Sequence, residues 1–358
     1  MKHLALCQSI FLMLIGFWFM PDPGHAASPY YQGKTIEMAA DARAGGGVDT
    51  LARITAFFLP GYIPGKPGIV VRNMPGGGGT NANNVFYAHG KRDGLHLMMN
   101  SQSTINLQLK RPDIAKYDLT KYEQIANLSR GSSILMVRSK ALQRLHDAKA
   151  DPVVCGTKEG EETWMGMALW GREFLGWNIR WIPGYSGTSD IELAFRRGEI
   201  DMFGTTTAFV IKRMIEDGAA TALAQGGIFK DGKYIRRKDF PDVPTFVEVL
   251  GKKKPTGIPW QSYVAWRASG DVDQILSTPP NTPKQYTSIL IDAFRNMSKD
   301  PQFDAKVKSM ISEVYDVGIG QETSDLLKDA LAVSPEILDY TRSLQIKFGL
   351  IAATEKRK

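Results

Sequence analysis

Short apolar runs that alternate with helical patterns constrain this chain more than any other feature of its sequence. Residues 35–40, 69–71 and 95–99 are apolar enough for buried strands, and stretches with helical spacing lie between them. This alternation is typical of α/β architecture with mainly parallel strands. Because a second series of the same kind runs from residue 134 to residue 224, we predict two α/β lobes.

The two lobes are predicted to be joined by two crossings of the chain. We expect the first crossing within residues 122–130 and the return near residues 260–266. The predicted first lobe then combines residues 27–125 with residues 262–358, and the second lobe comprises residues 126–261. Capping patterns with proline at the first helical position predict that the tail is helical.

The composition is that of a globular protein with a sizeable core. The 358 residues are 43% hydrophobic and 23% charged, which excludes disorder, collagen and a disulfide scaffold. Lys and Arg number 44 against 37 Asp and Glu, and the charge of +7 is spread along the chain. This surplus weakly favours an anionic ligand, and no motif indicates a nucleic-acid partner. The basic residues 236–238 lie in a polar loop, where we expect them to be solvated.

The first residues have the pattern of a secretory signal. Residues 1–3 carry a positive charge, residues 4–20 are uncharged and mostly apolar, and residues 24–26 are mostly small. We therefore expect residues 1–26 to be a signal peptide that directs the protein to the periplasm. A membrane anchor is the alternative, since the apolar run lies at the lower limit for a span.

The loop after the first predicted strand is the most informative motif. Gly45, Gly46 and Gly47 allow a sharp turn and a close approach of ligand to the main chain. The following helix would add free N–H groups and the positive end of its dipole, which together favour an anion. Asp49 could cap this helix or contact ligand, and Arg43 could grip a carboxylate or lie at the surface. The residues themselves leave both alternatives open.

A second loop of similar character follows the strand predicted at residues 179–182. Residues 184–188 offer hydroxyl and N–H groups to an anion, and a predicted helix follows them. Neither glycine loop fits a phosphate-binding or dinucleotide-binding fingerprint, because the required lysine, glycine spacing and acidic residue are missing. The sequence therefore predicts no nucleotide cofactor.

Signals for catalysis are weak throughout the sequence. The histidines beyond the predicted signal have no metal-ligand spacing, and residues 184–188 do not form a nucleophile elbow. These histidines are His89, His96 and His146. Cys155 lies in an apolar run and is expected to fill space in the core. We therefore expect a binding protein without cofactor or metal, and a hydrolase using Ser186 or Asp49 is the less favoured alternative.

Several of these motifs occur together in a known family. The chain resembles the tricarboxylate-transporter receptor family, often called Bug proteins, in motifs spread over residues 30–315. The motifs lie at residues 31–36, 44–49, 51–53, 69–78, 93–94, 184–188 and 197–201. The resemblance implies the type II fold of periplasmic binding proteins, with two α/β lobes, a two-strand hinge and a ligand cleft. It also implies a receptor that passes a small carboxylate to membrane permease subunits. The sequence leaves the oligomeric state open, and a monomer is the default expectation.

The resemblance also suggests which residues bind the ligand. It assigns contacts to the two glycine loops and to Ser101 after the third strand. The chain departs from the family in the charged loop at residues 156–163 and in the threonines at residues 205–207, where many relatives have an acid. Lys158 could pair with an acid ligand, whereas the glutamates of its loop would oppose an acid or bind an amine. The predicted ligand-binding residues are Arg43, Gly45, Gly46, Gly47, Asp49, Ser101, Thr157, Lys158, Tyr185, Ser186, Gly187, Thr188 and Thr205.

The partner beyond the ligand is left open by the sequence. A receptor for a permease and a sensor subunit for a membrane signalling protein need the same cleft. The sequence does not distinguish between them, nor does it name the ligand.

Overall fold

The computed structural model describes residues 28–230 and 233–351, so the predicted signal peptide lies outside the described residues. The strands are β1 (Thr35–Ala40), β2 (Gly68–Asn73), β3 (His96–Asn100), β4 (Glu123–Ser129), β5 (Ile134–Arg138), β6 (Val153–Gly156), β7 (Ile179–Ile182), β8 (Met202–Thr205), β9 (Ala220–Gln225), β10 (Ile228–Lys230), β11 (Lys233–Ile235), β12 (Ile275–Thr278) and β13 (Asp316–Ile319). The α-helices are α1 (Gly47–Phe58), α2 (Thr80–His89), α3 (Ser103–Lys110), α4 (Met165–Trp170), α5 (Thr188–Arg197), α6 (Ala208–Glu216), α7 (Phe246–Leu250), α8 (Gly257–Ala268), α9 (Lys284–Met297), α10 (Pro301–Met310), α11 (Gln321–Leu331) and α12 (Pro335–Lys347).

The first lobe is built on a six-stranded sheet in the order β13-β4-β12-β3-β1-β2. Strand β1 pairs in parallel with β2 and β3, as the alternation of strands and helices predicts. Its residues Ile36 and Met38 are fully buried, in a core completed by α1, α9 and α10. The carboxyl ends of β1 and β3 meet at one edge of this sheet, where their loops face the second lobe.

The second lobe repeats the plan with a five-stranded sheet in the order β7-β6-β8-β5-β9. Strand β6 is parallel to β7 and β8, whereas β5 is antiparallel to both of its neighbours. In the first lobe β12 is likewise antiparallel to β3 and β4. In each sheet, therefore, the strand that enters from the other lobe runs against its neighbours. This arrangement confirms the predicted two-lobed α/β fold.

The connections between the lobes differ from the expected positions. The first crossing occupies residues 130–133, between β4 and β5, and the return occupies residues 269–274, between α8 and β12. Residues 260–266, where we expected the return, lie inside α8 and bring Tyr263 and Trp266 into the core of the second lobe. The chain therefore leaves the second lobe only after α8, because Tyr263 and Trp266 of that helix are buried in the second-lobe core.

The C-terminal helix also departs from the predicted lobe boundaries. Helix α12 packs against α8, and its Leu344 lies in the core of the second lobe, as does Leu350 beyond it. The indole nitrogen of Trp181 in β7 donates to the carbonyl oxygen of Phe348 at 3.1 Å. The chain thus returns to the second lobe after α11, although we predicted the whole tail in the first lobe.

Cys155 and Arg237 both lie in the interior, the first as predicted and the second against prediction. Cys155 is fully buried in the second-lobe core, as predicted. Arg237, which we expected to be solvated, is also fully buried, and its guanidinium pairs with Asp239 at 2.7 Å and donates to the carbonyl oxygen of Thr206 at 3.0 Å. Within the described ranges, no helix has both the length and the apolar character required to cross a membrane.

Candidate interlobe binding site

The first glycine loop leaves the start of α1 open. Gly46 occupies the N-cap position and no side chain caps the helix. The N–H groups of Gly47 and Val48 have no acceptor among residues 28–230 and 233–351. Asp49 does not fill this gap, because its carboxylate accepts the N–H of Gly45 at 2.8 Å and pairs with Arg53 at 2.9 Å. Two N–H donors at the positive end of the helix are therefore free for an anion.

The second glycine loop leaves the start of α5 open in the same way. Gly187 is the N-cap and no side chain caps the helix. The N–H groups of Thr188 and Ser189 likewise lack an acceptor in the part of the chain that the structure describes. Helix α7 shows the contrasting case, since Thr245 and Glu248 form a full capping box there. Each lobe thus contributes one uncapped helix start.

The two loops lie against each other across the gap between the lobes. A side chain placed on Gly187 would bring its Cβ within 3.1 Å of the Cβ of Arg43. The guanidinium of Arg43 pairs with Asp190 of α5 at 3.1 Å, and it is about half exposed. A Cβ on Gly47 would lie 2.5 Å from a guanidinium nitrogen of Arg130. The glycines therefore permit the close approach of the lobes as well as the turns.

The charged loop after β6 brings Lys158 to the first lobe. The ammonium nitrogen of Lys158 donates to Ser103 Oγ at 3.0 Å. Its own backbone N–H donates to Glu162 at 2.7 Å, and the Thr157 hydroxyl donates to the other carboxylate oxygen of Glu162 at 2.7 Å. The Glu162 carboxylate is thereby occupied by its own loop, whereas the ammonium group of Lys158 retains two N–H groups.

Glu161, in the same loop, joins the lobes at a point away from the glycine loops. Its carboxylate pairs with Lys110 of α3 at 3.0 Å and accepts from Gln345 of α12 at 2.6 Å, with all three side chains buried. Burial raises the pKa of Glu161 and lowers the pKa of Lys110. The ion pair between them offsets part of the free energy that it costs to bury the two charges. Glu161 and Glu162 of the charged loop are thus held by contacts within the protein.

Asp41 lies at the carboxyl end of β1 beneath these loops. Its Oδ2 accepts the backbone N–H of Ser101 at 2.8 Å and the Ser101 hydroxyl at 3.0 Å. Its Oδ1 has no hydrogen-bond partner among the described residues. Burial raises the pKa of Asp41 to about 6, although the Lys158 charge and the bonds from Ser101 oppose the rise. The Ser101 and Ser103 hydroxyls, 2.8 Å apart, link Asp41 to Lys158.

These groups surround a cavity of about 60 Å³ between the lobes. Its lining consists of Asp41, Ala42, Arg43, Gly46, Gly47, Val48, Ser101, Gln102, Ser103, Arg130, Lys158, Glu162, Trp164, Ser186, Gly187, Thr188, Gly204, Thr205, Thr206, Thr207 and Gln274. This volume exceeds the roughly 10–15 Å³ that a cavity needs to hold one water molecule, so it admits a small polar group.

Most of the predicted site residues meet at this cavity. The lining includes Arg43, Gly46, Gly47, Ser101, Lys158, Ser186, Gly187, Thr188 and Thr205. Gly45, Asp49, Thr157 and Tyr185 lie outside it. Asp49 and Thr157 are engaged within their own loops, and the Tyr185 ring packs near Gly156 and the second-lobe core.

Nine polar or aromatic lining residues were absent from the predicted ligand-binding set. They are Asp41, Gln102, Ser103, Arg130, Glu162, Trp164, Thr206, Thr207 and Gln274. Asp41 directly follows a predicted strand, and this position is a signal that could have found it. Gln274 enters from the return crossing, so nothing in its local sequence points to the cavity.

Of the charged side chains that line the cavity, only those of Arg43 and Arg130 form ion pairs within the described residues, and Lys158 is the one cation left without such a pair. Arg130 pairs with the buried Asp273 at 2.5 Å, and Arg43 pairs with Asp190. Lys158 has no carboxylate within ion-pair distance in the described ranges. The described residues also contain no cluster of three or more histidine, cysteine or acidic side chains suited to a metal. The cavity therefore presents one unmatched cation together with the open starts of α1 and α5.

Comparison with solved structures places the fold among periplasmic binding proteins. The periplasmic binding protein BugD matches with a TM-score of 0.69 and 18% identity, over 88% of this chain and 99% of that chain. MatC from Rhodopseudomonas palustris with bound malate matches with a TM-score of 0.65 and 17% identity, over 86% and 99% of the chains. Another R. palustris protein, with adipate, matches with a TM-score of 0.66 and 15% identity, over 88% and 98%.

No protein-family model matches the chain, and no curated protein matches it in sequence. At sequence identities below one fifth, these structural matches show a shared fold and no more. One of these neighbours carries the name of the family that the sequence motifs resemble. The chain therefore has the two-lobed fold of periplasmic binding proteins, and its similarity to the Bug type extends from short motifs to the tertiary structure.

Proposed function

We propose that this protein is a periplasmic receptor that captures a small carboxylate between its lobes and passes it unchanged to a membrane permease. The observation that carries the proposal is the unmatched Lys158 ammonium in a cavity that two uncapped helix starts also reach. Similar solved structures hold malate and adipate, both of which are carboxylates.

The geometry suggests how a carboxylate is held. One lobe supplies the N–H groups of Gly47 and Val48, and the other supplies those of Thr188 and Ser189 together with the Lys158 ammonium. Each hydrogen bond to a charged group contributes about 1.5–3 kcal/mol. Because the donors come from both lobes, all of them are satisfied only when the lobes close, which couples binding to closure.

Binding without chemical conversion fits the lining of the cavity. The lining contains no histidine or cysteine in the residues described. The Ser101 hydroxyl donates to Asp41, and no imidazole stands between them as a general base would. Ser186, our alternative nucleophile, lines the cavity without a hydrogen-bonded base among the described residues.

Calorimetry on the mature protein tests the binding claim. We expect succinate, malate or adipate to bind at pH 7.5, and the uncharged diamide of succinic acid not to bind. Lys158→Met should weaken binding of the acid by about 10- to 100-fold, since the loss of one charge-assisted bond costs about 1.5–3 kcal/mol. Lys149→Met is the matched control, because Lys149 is exposed and lies outside the cavity lining. Equal binding by the two variants would remove Lys158 from the site.

Export and transport require separate measurements. Cell fractionation should place the protein in the periplasm, with an N-terminus that begins after residue 26. A strain that lacks the gene should take up the bound acid more slowly, and the wild-type gene should restore uptake. Normal uptake in the deleted strain, together with an altered transcriptional response to the acid, would instead identify a sensor subunit.

A further inference from the structure

Gln274 is an unusual residue at the floor of the cavity. It lines the cavity, only 1% of its surface is exposed, and neither its amide nitrogen nor its amide oxygen has a partner in the described residues. Its backbone φ is +47°, a region that residues other than glycine rarely adopt. Strained residues of this kind cluster at functional sites, where the surrounding structure holds them in place.

The surrounding structure holds Gln274 by its main chain and leaves its side chain unbonded. The backbone N–H of Gln274 donates to Asp273 at 2.9 Å, and its carbonyl oxygen accepts the N–H of Leu128 at 3.2 Å. Asp273 is itself fixed by its ion pair with Arg130. A buried amide with both ends unbonded costs free energy unless another molecule supplies partners.

Asp41 presents a second unpartnered group on the same floor. Asp41 is 4% exposed and lines the cavity, and its Oδ1 lacks a partner within the described residues. Its position relative to Gln274 follows from the sheet. Asp41 follows β1 and Gln274 precedes β12, and these strands lie on either side of β3. Since neighbouring strands are about 4.8 Å apart, the two backbones are about 10 Å apart. Both residues line the cavity between the lobes.

We propose that Asp41 and Gln274 form a second polar subsite, which binds a hydrogen-bond-donating group, an ammonium or a hydroxyl, on the same ligand. This inference rests on the proposed function, since it assumes that the carboxylate of the ligand is held by Lys158 and the helix starts. An ammonium donates both to Asp41 Oδ1 and to the Gln274 amide oxygen. A hydroxyl donates to Asp41 and accepts from the Gln274 amide nitrogen, whereas a methylene group does neither.

The charges favour this ligand class over a simple dicarboxylate. Lys158 forms no ion pair with a carboxylate among the described residues, and Asp41 Oδ1 is an acceptor without a donor. A ligand with a carboxylate and an ammonium complements both groups at once. A second carboxylate placed beside Asp41 would bring like charges together in a buried site.

Three four-carbon diacids test the subsite because they differ at one position only. Succinate carries hydrogen at its second carbon, L-malate carries a hydroxyl and L-aspartate carries an ammonium. Calorimetry at pH 7.5 should show aspartate and malate binding at least tenfold more tightly than succinate. Equal or tighter binding of succinate would overturn the subsite and leave the proposed function standing. If none of the three acids binds but adipate does, the subsite is overturned and the proposed function stands; if adipate also fails to bind, both proposals fail.

Variants then assign the preference to its residues. In Asp41→Asn the carbonyl oxygen should face the N–H of Ser101, which places the amide NH₂ at the former Oδ1 position. The ammonium of aspartate then meets a donor, so the preference for aspartate over succinate should fall below threefold, whereas the malate hydroxyl can accept from the new amide and should keep more of its preference. Asp151→Asn is the matched control, because Asp151 is exposed and outside the cavity lining, and it should keep the full preference.

Gln274→Met gives an independent test if Asp41→Asn does not fold. Methionine keeps the approximate shape and removes both amide atoms, so the preference for the two donor-bearing acids should again decrease, with succinate affinity changed less than threefold. An unchanged preference in both folded variants would overturn the assignment of this subsite.

Discussion

Replacing Asp41 by asparagine is expected to make the ligand-free protein more stable near neutral pH and to change its stability little near pH 4. Burial raises the pKa of Asp41 from 3.8 to about 6. The neighbouring Asp273 carboxylate adds to the rise, whereas Lys158 and the hydrogen bonds from Ser101 oppose it. Asparagine keeps an acceptor for Ser101 and cannot ionise.

The sign and size of the effect follow from proton linkage. The folded state binds the Asp41 proton more tightly than the unfolded state, so stability is greatest below pH 3.8 and falls as the pH rises through about 6. The difference between these two pKa values, at 1.36 kcal/mol for each unit of pH, corresponds to about 3 kcal/mol. Asp41 is fully buried, so solvent screening does not reduce this figure substantially.

Urea unfolding followed by tryptophan fluorescence, between pH 4 and pH 8, measures the effect. The free energy of unfolding of Asp41→Asn minus that of the wild type should increase by about 2–3 kcal/mol across this range. Any contribution of the substitution that does not depend on pH cancels in the comparison. Asp151→Asn should show no such increase. A difference that is constant with pH, or that decreases, would refute the reasoning about the buried carboxyl group.

Further expectations concern the two loops and a helix cap. Gly47→Ala should weaken carboxylate binding at least tenfold, because the added Cβ would lie 2.5 Å from a guanidinium nitrogen of Arg130 and something at the cavity must shift. Gly46→Ala should change the affinity less than threefold, because its Cβ would lie 3.4 Å from the nearest atom. Calorimetry that shows equal losses would contradict this. A double-mutant cycle on Arg43 and Asp190, measured on the free energy of ligand binding, should give a coupling of only about 0.2–1 kcal/mol, since the ion pair is partly exposed. A larger coupling would show that this ion pair holds the lobes closed on the ligand. Thr245→Ala should lower the free energy of unfolding by about 1 kcal/mol through loss of the α7 cap, with ligand affinity unchanged.

Local chemistry allowed much of the fold to be predicted. The strand at Thr35–Ala40 was predicted with its observed bounds, since its apolar run and the glycines that follow are features of consecutive residues. Both glycine loops were predicted to face a ligand, and each leaves a helix uncapped at the cavity. A glycine loop before a helix has this property wherever the helix packs, so no distant residue is needed to predict it.

The long-range contacts could not be predicted from the sequence. The burial of Arg237 depends on its ion pair with Asp239 and on carbonyl groups from elsewhere in the second lobe. The role of Glu161 depends on Lys110, which the fold brings from the other lobe. Charged residue types are usually solvated, which is why Arg237 was expected at the surface.

The sequence by itself determined the alternation of strands and helices and the two open helix starts, because each depends on residues a few positions apart. Only the tertiary structure decided which charges remain unmatched at the cavity. Arg43 and Arg130 form ion pairs with acids that lie far away in the sequence, so their charges are not free for a ligand. Lys158 forms no such pair among the described residues and remains free for one. Gln274 reaches the floor because the return strand β12 inserts beside β3. Burial and pairing are properties of the closed space between the lobes, and no local pattern of residues contains them.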